Sequence, residues 1–179
     1  IKSCHNGGIG LKKAKVAVVM GSDSDYPVLK SCIKLLRDFG VETQVLVCSA
    51  HRTPDKAAEF ASNAKKNGFE VIIAAAGKAA HLAGVLAAYT VLPVIGIPIK
   101  SSTLDGLDSL LSTVQMPAGI PVATVAIDGA ENAAILAVQI LSGAHPEMAE
   151  KIREYKKELA LKVEEKNSRL VEKLLDDGI

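Results

Sequence analysis

The sequence predicts an α/β protein folded as a three-layer αβα sandwich around a parallel sheet. Apolar strand-like runs alternate with helix-like stretches from Lys15 onward. Hydrophobic residues make up 49% of the chain, yet tryptophan is absent and aromatics reach only 3%, so the core must be Ala, Val, Ile and Leu. Such a core suits a sheet covered by helices on both faces. Polar or small-residue loops follow each of the first three strand-like runs. Ligands bind at the carboxyl ends of strands in open α/β sheets, so three such loops argue for one shared site. At 179 residues, a single domain with a sizeable buried core is expected.

The elements follow in order. Residues 1–14, with Cys4 and His5 in a glycine-containing stretch, read as a flexible leader. No initiator Met is present, so missing upstream sequence, a cleaved targeting segment or a larger parent chain all stay open. A strand over 16–20 leads into the polar loop Gly21-Ser22-Asp23-Ser24-Asp25, which offers hydroxyls and helix-terminal N–H groups to an anion. The loop carries neither the glycine and Lys-Ser/Thr pattern of a P-loop nor the dinucleotide fingerprint, and capping alone would also explain it. A helix near 26–39 shows an apolar face of Val28, Leu29, Cys32, Ile33, Leu36 and Phe39 and stops at Gly40.

The second strand, 43–48, ends at Ser49-Ala50-His51-Arg52-Thr53-Pro54. Thr53 is placed as N-cap and Pro54 as first residue of a helix running to Asn67-Gly68. An imidazole beside a guanidinium at a strand end pairs a proton carrier with an anion grip. Cys48 reads as a buried strand-end thiol in preference to a nucleophile. The third strand, 71–75, opens into Gly77-Lys78-Ala79-Ala80-His81-Leu82, where small residues permit close backbone approach and a helix follows over 79–89. Strand 93–97, a helix near 105–114, strand 122–127 and a helix over 130–142 complete the alternation. His145 is expected at the surface. From Pro146 to about Leu175 a charged helix carries the stripe Met148, Ile152, Tyr155, Leu159, Val163, Leu170 and Leu174, more than one small domain can cover.

Lys plus Arg number 21 against 20 Asp plus Glu, so no basic field recommends nucleic acid, and no segment is apolar enough to suggest a membrane span. Three scattered cysteines suit a reducing compartment and provide neither a disulfide framework nor a metal cluster.

The segments GSDSD (21–25), SAHRTP (49–54), GKAAHLAG (77–84), LPVIGIPI (92–99) and LDGLDSLLSTVQMPAGIPVATVAI (104–127) stand in a familiar order. Together with Asn132-Ala133-Ala134 they cover nearly everything from Lys15 to Leu141. With them the chain resembles the phosphoribosylaminoimidazole carboxylase catalytic subunit family, specifically the bacterial-type 5-(carboxyamino)imidazole ribonucleotide mutases of purine biosynthesis. The resemblance implies a flavodoxin-like strand order 2-1-3-4-5, a catalytic domain over 15–145, and a 146–179 helix that packs between subunits of a homo-octamer. It implies a small-molecule ribonucleotide substrate, a cytoplasmic location, no metal, no cofactor, and an ATP-dependent 5-(carboxyamino)imidazole ribonucleotide synthase as functional partner.

By family position His51 is the proton shuttle. Ser22, Ser24, Asp25, Ser49, Ala50, Arg52, Gly77, Lys78, Ala79, Ala80, His81 and Leu82 are substrate contacts. Arg52 and the Ser22 loop suit phosphate, Asp25 suits a ribose hydroxyl, and the 77–81 loop with His81 lies over the reacting carboxylate. The mutases typically read AGAGGAAHLPG there, whereas this chain has Ala75, Lys78 and Ala83 at three of those positions. Related carboxylases that use carbon dioxide directly carry a basic residue after the equivalent of Gly77 but lack the histidine of His81. Arg52 and His81 therefore favour the mutase, and Lys78 keeps the direct carboxylase as the alternative. A non-catalytic phosphosugar-binding module is the reading from another class.

Overall fold

A computed structural model describes residues 13–179. Five parallel strands form one sheet: β1 (Lys15–Met20), β2 (Glu42–Val47), β3 (Val71–Gly77), β4 (Val94–Ile99) and β5 (Ala123–Thr124). Their order is β2-β1-β3-β4-β5, which is the flavodoxin-like order expected. The helices are α1 (Tyr26–Asp38), α2 (Pro54–Ala64), α3 (Leu82–Tyr89), α4 (Leu107–Val114), α5 (Ala130–Leu141) and α6 (Pro146–Asp176). The expected leader, Cys4 and His5 included, lies outside the described residues up to position 12. Ala14 belongs to the folded body: it is buried, and its carbonyl accepts from Glu42 N–H at 2.8 Å.

Period-two alternation splits the strands' side chains between two cores. Val16, Val18, Val71, Ile73, Ile95 and Ile97 face α1 and α5. Ala17, Val19, Ile72, Ala74 and Val94 face α2 and α3. The central strands are therefore apolar on both faces, which is why they read as continuous runs. Gly96 has a packing reason of its own. A Cβ there would collide with Thr113 and stand 2.9 Å from Val122, so its absence lets α4 lie close against β4. The helix stops after α1 and α2 fall where expected, at Gly40 (φ +82°) and Gly68 (φ +85°), positions that a side chain would strain.

Three expectations need correction. The strand expected over 122–127 shrinks to Ala123–Thr124. Pro98 of β4 accepts from Asp128 N–H on that side but has no N–H to return, so the ladder cannot be completed there. Thr53 occupies the N-cap position without capping α2. Its hydroxyl donates to the Ser49 carbonyl at 2.9 Å and accepts from Ser49 N–H at 3.1 Å, closing the 49–53 loop on itself. His145 is not a free surface residue: its Nε2 lies 2.8 Å from Glu70 Oε2, with only 13% of the side chain exposed.

The C-terminal helix divides in two. Met148 and Ile152 are buried in the α1/α5 core, Tyr155 stacks obliquely on Phe39 at 5.7 Å, and Lys151 Nζ donates to the Phe39 carbonyl. Beyond that, Leu159, Leu161, Val163, Leu170, Val171, Leu174 and Leu175 are exposed. At about 1.5 Å per residue, the 31 residues of α6 outrun the domain they start on. Among the described residues no helix is long and apolar enough to cross a membrane.

Candidate active site

The carboxyl ends of β1, β2, β3 and β4 open into one cavity of about 620 Å³. β1 and β3 are neighbours, so the first and third loops face each other at the topological switch point. Backbone bonds hold the loops in register: Gly21 N–H donates to the Ala75 carbonyl at 3.0 Å and Cys48 N–H to the Met20 carbonyl at 2.9 Å. From the first loop, Ser22, Ser24 and Asp25 line the cavity; from the second, Ser49, Ala50, His51 and Arg52. From the third come Gly77, Lys78, Ala79, His81 and Leu82. Ala80 is the exception among the expected contacts. It is buried beneath the loop, with its carbonyl 3.5 Å from the Thr113 hydroxyl, and supports the loop from behind.

The first loop is a single 3-10 turn at Asp23–Asp25 capped by Ser22, whose hydroxyl accepts from Ser24 N–H. The Ser24 hydroxyl lies 2.9 Å from that of Ser22 and 3.3 Å from Asp25 Oδ1. Asp25 is only 8% exposed. Burial pushes its carboxyl above the ordinary 3.8, against hydrogen bonds from Ser22 and Ser24 that hold it down.

Arg52 reaches back over the first loop, its guanidinium donating to the Gly21 carbonyl at 3.4 Å. Its backbone N–H donates to the Ser49 hydroxyl, which fixes the turn that presents both His51 and Arg52. The two histidines meet: His51 Nε2 and His81 Nδ1 are 2.9 Å apart, with rings nearly perpendicular at 87°. Such a bond requires one facing nitrogen to carry the hydrogen and the other to be bare, so the two rings share one proton position.

The third loop contains a strained residue. Lys78 has φ +57°, a left-handed conformation that costs a non-glycine residue roughly 1–2 kcal/mol. Tight contacts from Ala80 N–H to the Lys78 carbonyl and from His81 N–H to the Ala79 carbonyl turn the chain so that His81 sits at the entry of α3.

A fourth loop was not foreseen. Ile99, Lys100, Ser101 and Ser102 also line the cavity, as do Gly21 and Ala76. The signal was present, since a polar run follows the fourth strand just as polar runs follow the first two. Lys100 N–H donates to Asp128 Oδ1 at 2.9 Å, its Nζ pairs with Asp105 at 3.2 Å, and the Ser101 hydroxyl donates to Asp108. Of the thiols, Cys48 is buried just past β2 with Sγ 3.8 Å from the Thr53 hydroxyl. Burial pushes the Cys32 thiol up to about 12. Among the described residues no three potential metal ligands cluster.

Strand order and cavity together define a flavodoxin-like α/β protein with a cavity at the switch point, lined by three cationic side chains, two imidazoles and a buried carboxyl group. The chain matches the AIR carboxylase family over residues 15–162. It is 59% identical over 161 residues to the N5-carboxyaminoimidazole ribonucleotide mutase of Pyrococcus horikoshii, spanning 90% of this chain and 91% of that one. The protein of the same name from Mycobacterium tuberculosis is 51% identical over 159 residues, spanning 89% and 91%. The crystal structure of Treponema denticola PurE superposes with a TM-score of 0.80 at 28% identity, over 88% of this chain and 99% of that chain. This chain belongs to the AIR carboxylase family.

Proposed function

We propose that the chain is a mutase that converts 5-(carboxyamino)imidazole ribonucleotide to 4-carboxy-5-aminoimidazole ribonucleotide in purine biosynthesis. Supporting the mutase reading are the names of relatives at 51–61% identity over most of the chain. The observation that carries a proton-transfer mechanism is the His51–His81 contact inside the cavity that Arg52, Lys78 and Lys100 also line.

In this reading the C–N bond of the carbamate breaks, carbon dioxide leaves, and the exocyclic nitrogen takes a proton. The ring carbon then forms a C–C bond to the same carbon dioxide and gives up its hydrogen as a proton. Atoms and electrons balance with no oxidant. One group can deliver the first proton and recover the second, and His51 is that group because histidine transfers protons near neutral pH. His81 fixes the orientation of the His51 ring and holds the shared proton position. Arg52 and the Ser22–Ser24 hydroxyls take the phosphate, since a guanidinium and a turn rich in donors both match its oxygens. Asp25 takes a ribose hydroxyl. Small residues Gly77 and Ala79 leave room for carbon dioxide over the ring.

The assembly belongs to the same proposal. The exposed α6 stripe and the outer face of α4, with Leu107, Leu111 and Val114 each close to half exposed, are apolar surfaces that a second copy of the chain would cover. The family resemblance supports an octamer in this reading, with residues 146–179 contributing packing between subunits and 15–145 carrying the chemistry. Substrate and product are charged nucleotides, which suits the cytoplasm, and an ATP-dependent synthase would supply the carbamate.

The His51→Asn substitution tests the mechanism. Turnover should fall by about a hundredfold or more, the usual weight of general acid–base catalysis, while ribonucleotide binding survives. Retention of more than about a tenth of the wild-type rate would remove His51 from the role of shuttle.

A further inference from the structure

Ile99, Lys100, Ser101 and Ser102 form the fourth wall of the cavity, just beyond the point where the ladder between β4 and β5 stops. Pro98 accounts for the stop, because its ring nitrogen has no hydrogen to donate to the neighbouring chain. The chain is caught again at once. Asp128 N–H donates to the Pro98 carbonyl at 2.9 Å, and Lys100 N–H donates to Asp128 Oδ1 at 2.9 Å. Asp128 thus donates to residue 98 and accepts from residue 100, the two bonds a parallel strand partner would make, with a side-chain oxygen in place of the backbone carbonyl.

The backbone of Asp128 explains the replacement. Its φ of +55° lies in the left-handed region, which aspartate tolerates better than most residues because its short side chain bonds locally. In that conformation its carbonyl accepts from Ala130 N–H at 2.7 Å, at the start of α5, and the carboxylate is left for Lys100. From the α4 side, the fully buried Ser109 hydroxyl lies 2.8 Å from the carbonyls of both Ile99 and Gly106. The wall in turn backs the third loop. Ile99 is paired with Gly77, and a Cβ on Gly77 would stand 3.4 Å from the Ile99 carbonyl. Gly77 opens the loop that carries His81, whose ring meets His51.

We propose that Asp128 is a positioning residue for the reaction: its carboxylate stands in for the missing sheet partner, fixes the fourth wall and, through Ile99 and Gly77, keeps His81 against His51. Asp128 does not itself line the cavity and acts from behind it. The assignment rests on the functional reading above and deepens it. A misplacement of about 1 Å at a reacting group can cost roughly a hundredfold in rate. The phosphate grip at Arg52 and Ser22 follows β2 and β1, which make no ladder with β4 or β5, so ground-state binding does not depend on Asp128. Loss of the carboxylate therefore falls on kcat and spares KM.

Steady-state kinetics on the wild-type chain, Asp128→Gly and Asp128→Asn test this, with 5-(carboxyamino)imidazole ribonucleotide as substrate. Glycine accepts the left-handed backbone but offers no acceptor, whereas asparagine tolerates that backbone and keeps a carbonyl oxygen at the same reach. Asp128→Gly should lose about tenfold or more in kcat with KM within about threefold, and Asp128→Asn should keep kcat within about threefold. Amide hydrogen exchange gives a second readout that needs no variant: the Lys100 N–H should exchange slowly in the wild-type chain. A glycine variant with unchanged kcat or with a loss confined to KM, an asparagine variant as impaired as the glycine one, or rapid exchange at Lys100 would each overturn the assignment and leave the functional reading intact. A wild-type chain without turnover of the carbamate would overturn the functional reading and this assignment with it.

Discussion

Asp25 is the residue where burial and charge pull apart. Burial raises its carboxyl above 3.8, so the folded chain favours the neutral form more than the unfolded chain does. The sign follows from linkage: the favourable contribution is complete below 3.8 and is lost as pH rises through the raised folded value. At neutral pH the fold therefore carries a poorly solvated carboxylate. Asp25→Asn keeps an acceptor for the Ser24 hydroxyl and removes the charge. Its urea midpoint should exceed that of the wild type at about pH 7, and the gap should close as the pH falls toward 3.8. A variant less stable at neutral pH would show that the carboxylate is well compensated in the fold. The lining of the cavity was legible at this scale where residue type announces chemistry, as with His51, Arg52, Ser22 and Lys78. It was illegible where a residue acts through position. Nothing in the sequence tells that Ala80 turns inward, or that Thr53 closes its own loop instead of capping α2. Lys100 escaped notice because its loop contains none of the histidine, arginine or glycine signals that marked the others.

At the scale of elements, α6 is one helix with two surroundings. Its single apolar stripe concealed the division, because the same 3.5-residue spacing serves core and interface alike. Met148 and Ile152 belong to the subunit's own core. Each buried side chain of that size contributes about 1.5–3 kcal/mol, so truncation after His145 should cost roughly 3–6 kcal/mol, a large fraction of a typical domain's stability. Truncation after Glu158 spares both residues and Tyr155, while removing the exposed stripe from Leu159 onward. That shorter chain should keep the thermal midpoint of its own subunit core yet show fewer subunits per particle by light scattering. An unchanged number of subunits would mean that the distal half of α6 is not an assembly surface. The shortened β5 carries a related lesson: alternation of apolar residues marks a strand's candidates, but Pro98 on the neighbouring strand decides how much ladder can form.

For the molecule as a whole, strand alternation was enough to predict parallel βα units and a sandwich, because right-handed crossovers leave few other arrangements. It could not order the strands, since that depends on which edges meet and not on any strand's own pattern. The order β2-β1-β3-β4-β5 came from family likeness and is the one the fold adopts. That order is what brings His51 within 2.9 Å of His81 from loops thirty residues apart, and it gathers Arg52, Lys78 and Lys100 around one cavity. The central claim is that the carboxyl group is moved within one substrate molecule. The most direct measurement follows the purified chain acting on 5-(carboxyamino)imidazole ribonucleotide, without ATP or added bicarbonate, against 5-aminoimidazole ribonucleotide supplied with bicarbonate. Rapid formation of 4-carboxy-5-aminoimidazole ribonucleotide from the carbamate alone is the predicted result. Product formed only from the second mixture would contradict the mutase and make the chain a direct carboxylase.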